Sequence, residues 1–99
     1  MAKIVFTNKA KEDLQEIWEY TYKTWSEKQA DKYYWDIMER CQELVFNFNQ
    51  GKNYSKLIEN LKGVRSHKHI IFYRILKNGK IEIERILHEK MDIDKHLNE

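Results

Sequence analysis

His69-Ile-Ile-Phe-Tyr-Arg-Ile-Leu76, then Lys77-Asn78-Gly79-Lys80, then Ile81-Glu-Ile-Glu-Arg-Ile-Leu-His88 is the stretch whose reading decides the fold. Both flanks are dense in β-branched and aromatic residues, which suit a pleated, half-buried surface. Asn78-Gly79 between them is a strong hairpin signal, because both residue types tolerate positive φ. Two neighbouring antiparallel strands follow. The alternation in the second strand breaks. Ile81, Ile83 and Leu87 would share a face with Arg85, while Ile86 would fall with Glu82, Glu84 and His88. Either a bulge near Glu84 shifts the phase, or Arg85 lies among apolar neighbours. A half-buried arginine is costly unless it meets an anion or a carboxylate. Arg85 is therefore either a site residue or half of an ion pair with an acidic helix residue.

Upstream of this hairpin the pattern is already strand-like from Val64, and Lys52 to Lys62 reads as a polar connection anchored by Leu57, Ile58 and Leu61. Before it, the period changes to 3.6. Ser26-Glu27-Lys28-Gln29 is a capping box, in which the serine hydroxyl takes the amide of Gln29 while the glutamine side chain reaches back. Ala30, Tyr33, Tyr34, Ile37, Met38, Cys41, Leu44, Val45 and Phe48 trace one apolar stripe, and Asn49-Gln50-Gly51 ends it with Gly51 as a left-handed cap. An earlier helix carries Ala10, Leu14, Ile17, Trp18 and Thr21 on one face and ends near Tyr22-Lys23, with Thr7 or Asn8 as its cap. Glu12 and Asp13 in its opening turns suit the macrodipole. About three residues join the helices, so they pack as an antiparallel hairpin. Lys3 to Phe6 reads as a first strand. The order β-α-α-β-β-β predicts an α+β domain over residues 1–99: an antiparallel sheet with the helical hairpin on one face. Met91 to Glu99 is a short helix or an irregular arm.

Composition narrows the class. With 99 residues, 41% apolar, the chain makes one small domain that buries roughly 60–65% of its unfolded surface. No stretch approaches the ~18 apolar residues of a membrane span, and Met1-Ala2-Lys3-Ile4 does not open a signal peptide. One cysteine, Cys41, forms no internal disulfide, and its place in the apolar stripe marks it as a small buried hydrophobe. A cytoplasmic protein is expected. Net charge is +2, unevenly spread: Lys9 to Val45 holds six basic and nine acidic residues, Lys62 to Lys90 eight basic and three acidic. A basic half suggests phosphates or an acidic protein segment as partner, or simply a solvated basic face.

The chemistry-bearing residues are few. There is no phosphate-binding glycine loop and no paired-cysteine metal site. His67-x-His69 would put two imidazoles on one strand face, but no third ligand of clear spacing follows, so neither metal nor cofactor is expected. What remains is a cationic cluster on the C-terminal strands: Arg65, Arg74, Arg85 and His88, with Tyr73 among them. Cleaving RNA through its 2′-hydroxyl needs a base, an acid and cations for the phosphorane charge. Arg65, Arg85 and His88 would supply those functions; the same residues would equally hold an acidic partner or complete the fold. Among the tryptophans, Trp18 is read as core, while Trp35 lies off the main stripe and suggests an interface anchor.

At this point the sequence resembles a known family over nearly its whole length. His69-Ile-Ile-Phe-Tyr-Arg74, then Ile83-Glu-Arg-Ile-Leu-His88-Glu-Lys-Met91-Asp92, then His96-Leu97, looks like the signature of ParE toxins of the RelE/ParE superfamily. Ala10, Asp13, Leu14, Ile17 to Thr21, Trp25, Gln29-Ala30 and Tyr33 agree in the N-terminal half. The resemblance implies a toxin of a type II toxin–antitoxin system, with growth inhibition and plasmid stabilisation as its roles. It also implies an antitoxin partner whose C-terminal segment wraps and neutralises the toxin in a hetero-oligomer. Two activities live on this fold: inhibition of DNA gyrase by binding, and ribosome-dependent cleavage of mRNA. The ending Arg85-Ile-Leu-His88-x-x-Met91-Asp92 favours gyrase, and the C-terminal region lacks the tyrosine that several ribonuclease members use. Arg65, Arg85 and His88 keep ribosome and mRNA as the alternative, and a degenerate antitoxin-binding module is a third. Arg65, Arg74, Arg85, His88, Met91, Asp92 and Trp35 are the expected partner contacts.

Overall fold

A computed structural model describes residues 4–98. Its elements run β1 (Ile4–Phe6), α1 (Asn8–Thr24), α2 (Glu27–Phe46), β2 (Lys52–Asn53), β3 (Lys62–Ser66), β4 (His69–Ile75), β5 (Ile81–His88) and α3 (Ile93–Leu97). The five strands form one sheet in the order β1-β5-β4-β3-β2. The expected α+β architecture is present, with two additions. β1 lies parallel to β5, Ile4 opposite Ile81, so the sheet is mixed. The connection after α2 contributes the two-residue strand β2, antiparallel to β3. Lys3, expected in the first strand, lies outside the described residues. Among the described residues no helix is long and apolar enough to cross a membrane.

The helix starts are set by their caps. Thr7 Oγ1 accepts from Ala10 N at 3.0 Å and Ser26 Oγ from Gln29 N at 3.1 Å, satisfying amides that have no partner inside the helix. α2 ends at Phe46 rather than carrying its stripe to Phe48, and Asn47 is its C-cap. Gly51 is therefore not the cap. Its backbone instead passes against Tyr73, whose hydroxyl accepts from Gly51 N at 3.1 Å and donates to Phe48 O at 2.8 Å. In the β4–β5 turn only Gly79 takes positive φ (84°); Asn78 does not. Leu76 O accepts from Gly79 N, so the loop is a three-residue hairpin rather than a two-residue one.

The sheet buries both faces. On one, Val64, Ile71, Tyr73, Ile81, Ile83 and Ile86 meet Ala10, Leu14 and Ile17 of α1 and Ile37, Cys41 and Leu44 of α2. On the other, Ile70, Phe72 and Leu87 meet Leu61, with Tyr54, Ile58, Ile93 and Leu97 packed over them. The loop after β2 and the C-terminal helix therefore roof the face that the hairpin leaves open. Each large apolar side chain so buried stabilises by about 1.5–3 kcal/mol.

The phase break in β5 is a bulge. Tyr73 stands opposite Ile83 but Phe72 opposite Arg85, leaving Glu84 as the extra residue. The shift turns both Ile83 and Ile86 toward the helices and sends Leu87 to the second face.

A Cβ on Gly51 would sit 2.5 Å from the Tyr73 hydroxyl oxygen and 2.9 Å from its ring. Gly51→Ala should cost about 1–3 kcal/mol in urea unfolding. Tyr73→Phe in the same chain should make that penalty smaller, because the nearest clashing atom is gone.

Candidate functional site

The predicted cationic residues fall into three settings. Arg85 is engaged by the fold. Its Nε and Nη2 donate to Asp13 Oδ2 and Oδ1 at 2.8 and 3.1 Å, and its Nη1 donates to His96 O of α3 at 2.8 Å. The two side chains are only 13% and 9% exposed. Asp13 Oδ2 also accepts from Ile86 N at 2.9 Å, where β1 has ended and β5 has no further strand beside it. Thr7 continues the same substitution, its N donating to Ile83 O and its hydroxyl to Glu84 O at 2.8 Å. Asp13 is thus a buried ligand of the bulge, not the macrodipole partner read from sequence. A signal for this was present: Asp13 lies three residues after Ala10 and four before Ile17, on the buried face of α1.

Arg65 and His88 reach the same end of the sheet but lie on β3 and β5, with β4 between them. That places their backbones about 10 Å apart. Arg65 is exposed and pairs with Glu89. His88 stands opposite His69 with ring centroids 5.2 Å apart, and its Nδ1 accepts from Lys90 N. Burial, then the neighbouring His88 and His67, push His69 down to about 4, so its ring is neutral at pH 7. His67 and His69 do not share a strand face. His67 occupies the β3–β4 turn at φ 54°, stacks on Tyr33 at 4.5 Å and meets Asp36 Oδ2 at 2.6 Å. A turn at His67-Lys68 carries none of the glycine, proline, asparagine or aspartate that usually marks one. Cys41 is fully buried and its thiol is pushed up to about 12 by burial, so it is chemically inert.

Arg74 belongs to a third setting, beside the bulge. Its Nη2 reaches Glu82 Oε1 and Glu84 Oε1, each at 3.4 Å, while Arg74 Nε and Glu84 Oε2 are buried without a hydrogen-bond partner. Two carboxylates close together favour holding a proton, and a single guanidinium compensates only one of their charges. Burial first, then the Glu82 hydrogen bond and charge, push Glu84 up to about 7, against the lowering effect of Arg74. Of the tail residues, Asp92 caps α3 by accepting from Lys95 N at 3.2 Å, and Met91 is exposed just before it. The tail forms the short helix α3 over Ile93–Leu97, with Glu99 outside the described residues.

An open groove of about 480 Å³ runs along the outer side of the α1–α2 hairpin. Leu14, Trp18, Tyr34 and Trp35 form its walls, with Lys11, Gln15 and Asp31 at its margins. Trp18 is not core: it stacks on Tyr22 at 5.2 Å and its Nε1 donates to Asp31 Oδ1 at 2.9 Å. It lies at the edge of the buried stripe, where an indole packs its body and keeps its N–H at the surface. Trp35 is 65% exposed, as its position off the stripe suggested, and Trp25 is 75% exposed at the turn between the helices.

The model of the ParE toxin of type II toxin–antitoxin systems, parDE, matches residues 4–93. The chain belongs to the ParE toxin family. It is 30% identical to Toxin ParE1 of Mycobacterium tuberculosis (strain CDC 1551 / Oshkosh) over 88 residues, covering 89% of this chain and 90% of that protein. To Toxin ParE1 of Caulobacter vibrioides it is 29% identical over 91 residues, 92% and 93% of the two chains. Its fold is similar to a chain of the chromosomal ParDE TA system from P. aeruginosa, with TM-score 0.76 at 24% identity, covering 89% of this chain and 96% of that one. A ParE toxin with this arrangement holds its arginine at the bulge by an internal carboxylate and presents an aromatic groove on its hairpin.

Glu84 gives a pH dependence of stability. A carboxyl whose folded value is raised stabilises fully below about 4.5, its ordinary range, and that contribution is lost as pH rises through about 7. Unfolding free energy should therefore fall between pH 5 and 8 from this group. Glu84→Gln should flatten that slope, as urea titrations across the range would show.

Proposed function

We propose that this ParE toxin acts by binding DNA gyrase and is neutralised by a cognate antitoxin that occupies the α1–α2 groove. One observation carries the preference for binding over catalysis. Of the three residues a ribonuclease reading requires, Arg85 is spent on Asp13 and the His96 carbonyl. A guanidinium in that position would have to abandon a buried carboxylate before it could stabilise a phosphorane. The names of the relatives, Toxin ParE1, support a toxin, and the exposed Met91 with Arg65 and Lys90 on the basic half offers a surface for a macromolecular target.

The groove suits an antitoxin segment for a different reason. Exposed Trp35, with half-buried Trp18 and Tyr34, concentrates there the side chains that dominate binding energy when desolvated. An amphipathic helix laid between two helices is a recurrent way to cover such a surface.

Purified toxin titrated into a gyrase supercoiling assay on relaxed plasmid should abolish supercoiling, and added antitoxin should restore it. Full supercoiling at an excess of folded toxin would contradict the reading and direct attention to the ribosome, where primer extension on cellular mRNA after brief induction would reveal new 5′ ends.

A further inference from the structure

The groove has charge only at its margins, and the charges differ at its two ends. Lys11 lies on the first half of α1, while Asp31 lies at the level of Trp18, to whose indole it is bonded. Lys11 and Trp18 are seven residues apart on one helix, which separates the two levels by about 10 Å. Between them Leu14, Tyr34 and Trp35 supply apolar wall. The groove is therefore a strip two helical turns long with a cation at one end and a carboxylate at the other.

We propose that the occupant of this groove is a helical antitoxin segment carrying an acidic and a basic side chain about seven residues apart, with apolar anchors between them, the acidic one over Lys11 and the basic one over Asp31. The proposal rests on the reading of the groove as the antitoxin's seat, and adds the polarity with which the segment lies in it. Charge complementarity carries the assignment. A uniformly basic segment would bring a cation onto Lys11, and a uniformly acidic one would bring a carboxylate onto Asp31. The reversed placement does both. Exposed ion pairs add little affinity, but like charges brought together penalise the wrong register and orientation. The aromatic walls supply the binding energy and the two charges choose how the segment lies. Trp18, Tyr34 and Trp35 also offer ring faces on which the stem of an arginine or lysine approaching Asp31 can lie.

The test is calorimetric titration of full-length cognate antitoxin into four variants of the full toxin, at low and at moderate salt. Lys11→Glu reverses one end. Asp31→Asn removes charge at the other while keeping an acceptor for the Trp18 indole. Lys77→Glu makes the same charge change in the exposed β4–β5 turn, away from the α1–α2 hairpin, and Trp35→Ala removes part of the wall. Lys11→Glu and Asp31→Asn should each weaken binding by about three- to tenfold at low salt and by less at moderate salt, with Lys77→Glu within about twofold of the parent. If Trp35→Ala weakens binding more than about tenfold but the two margin variants do not, the groove is the seat and the assigned polarity is wrong. If Lys77→Glu weakens binding as much as Lys11→Glu, net charge rather than groove polarity is being read, and the assignment falls. If Trp35→Ala also leaves affinity unchanged, the groove is not the seat, and both readings fall together.

Discussion

The bidentate pair between Arg85 and Asp13 is the contact on which the rest of the structure depends. It joins residues 72 apart in sequence, and its carboxylate also takes the Ile86 amide at the edge of the sheet. A three-residue β1 cannot hydrogen-bond an eight-residue β5 along its full length. Thr7 and Asp13 supply acceptors and donors where the strand stops. The same guanidinium reaches the His96 carbonyl, so one arginine ties the first helix, the bulged strand and the C-terminal helix together. Removing either partner would strand a charge in a nearly closed site, which typically costs about 3–5 kcal/mol.

Around that tie the two faces of the sheet have different characters. The hairpin side is a continuous apolar core, closed by α1 and α2. The other side is roofed by a loop and by α3, a five-residue helix with no fully buried residue. A helix so short is not stable alone. Its seat is made by Ile93 and Leu97 on Leu61, Phe72 and Leu87, by the Asp92 cap and by Arg85. The bulge sits between these two regimes, with Glu82, Glu84 and Arg74 forming an incompletely paired charged cluster beside it. The outer surface of the hairpin carries the exposed aromatics that the core does not use, and the basic residues of the C-terminal strands lie apart from them.

Much of this was legible in the residues. The hairpin around Gly79, the capping of both long helices, the buried Cys41 and the broken alternation in β5 follow from period and turn chemistry, and the ion-pair alternative for Arg85 was posed by the cost of burying it. Other features depend on what lies across the fold. Asp13 occupies an apolar stripe, but only the edge amide of Ile86 explains why a carboxylate is tolerated there. Gly51 reads as a helix cap until Tyr73 is placed beside it. His67 and His69 look like a strand pair until the turn between β3 and β4 separates them, because His67-Lys68 lacks the glycine, asparagine or aspartate that marks most such turns. Trp18 is indistinguishable from core by spacing alone; the indole bond to Asp31 and its place on the groove decide its role. The parallel pairing of β1 could not be read from a three-residue strand.

The account turns on Arg85 being a fold-holding residue paired with Asp13. A double-mutant cycle of Asp13→Asn and Arg85→Met, followed by urea unfolding at neutral pH, tests this most directly. The predicted result is a coupling of about 2–3 kcal/mol, each single substitution being strongly destabilising and the pair costing much less than their sum. A coupling below about 0.5 kcal/mol would contradict it, since the two side chains would then contribute independently.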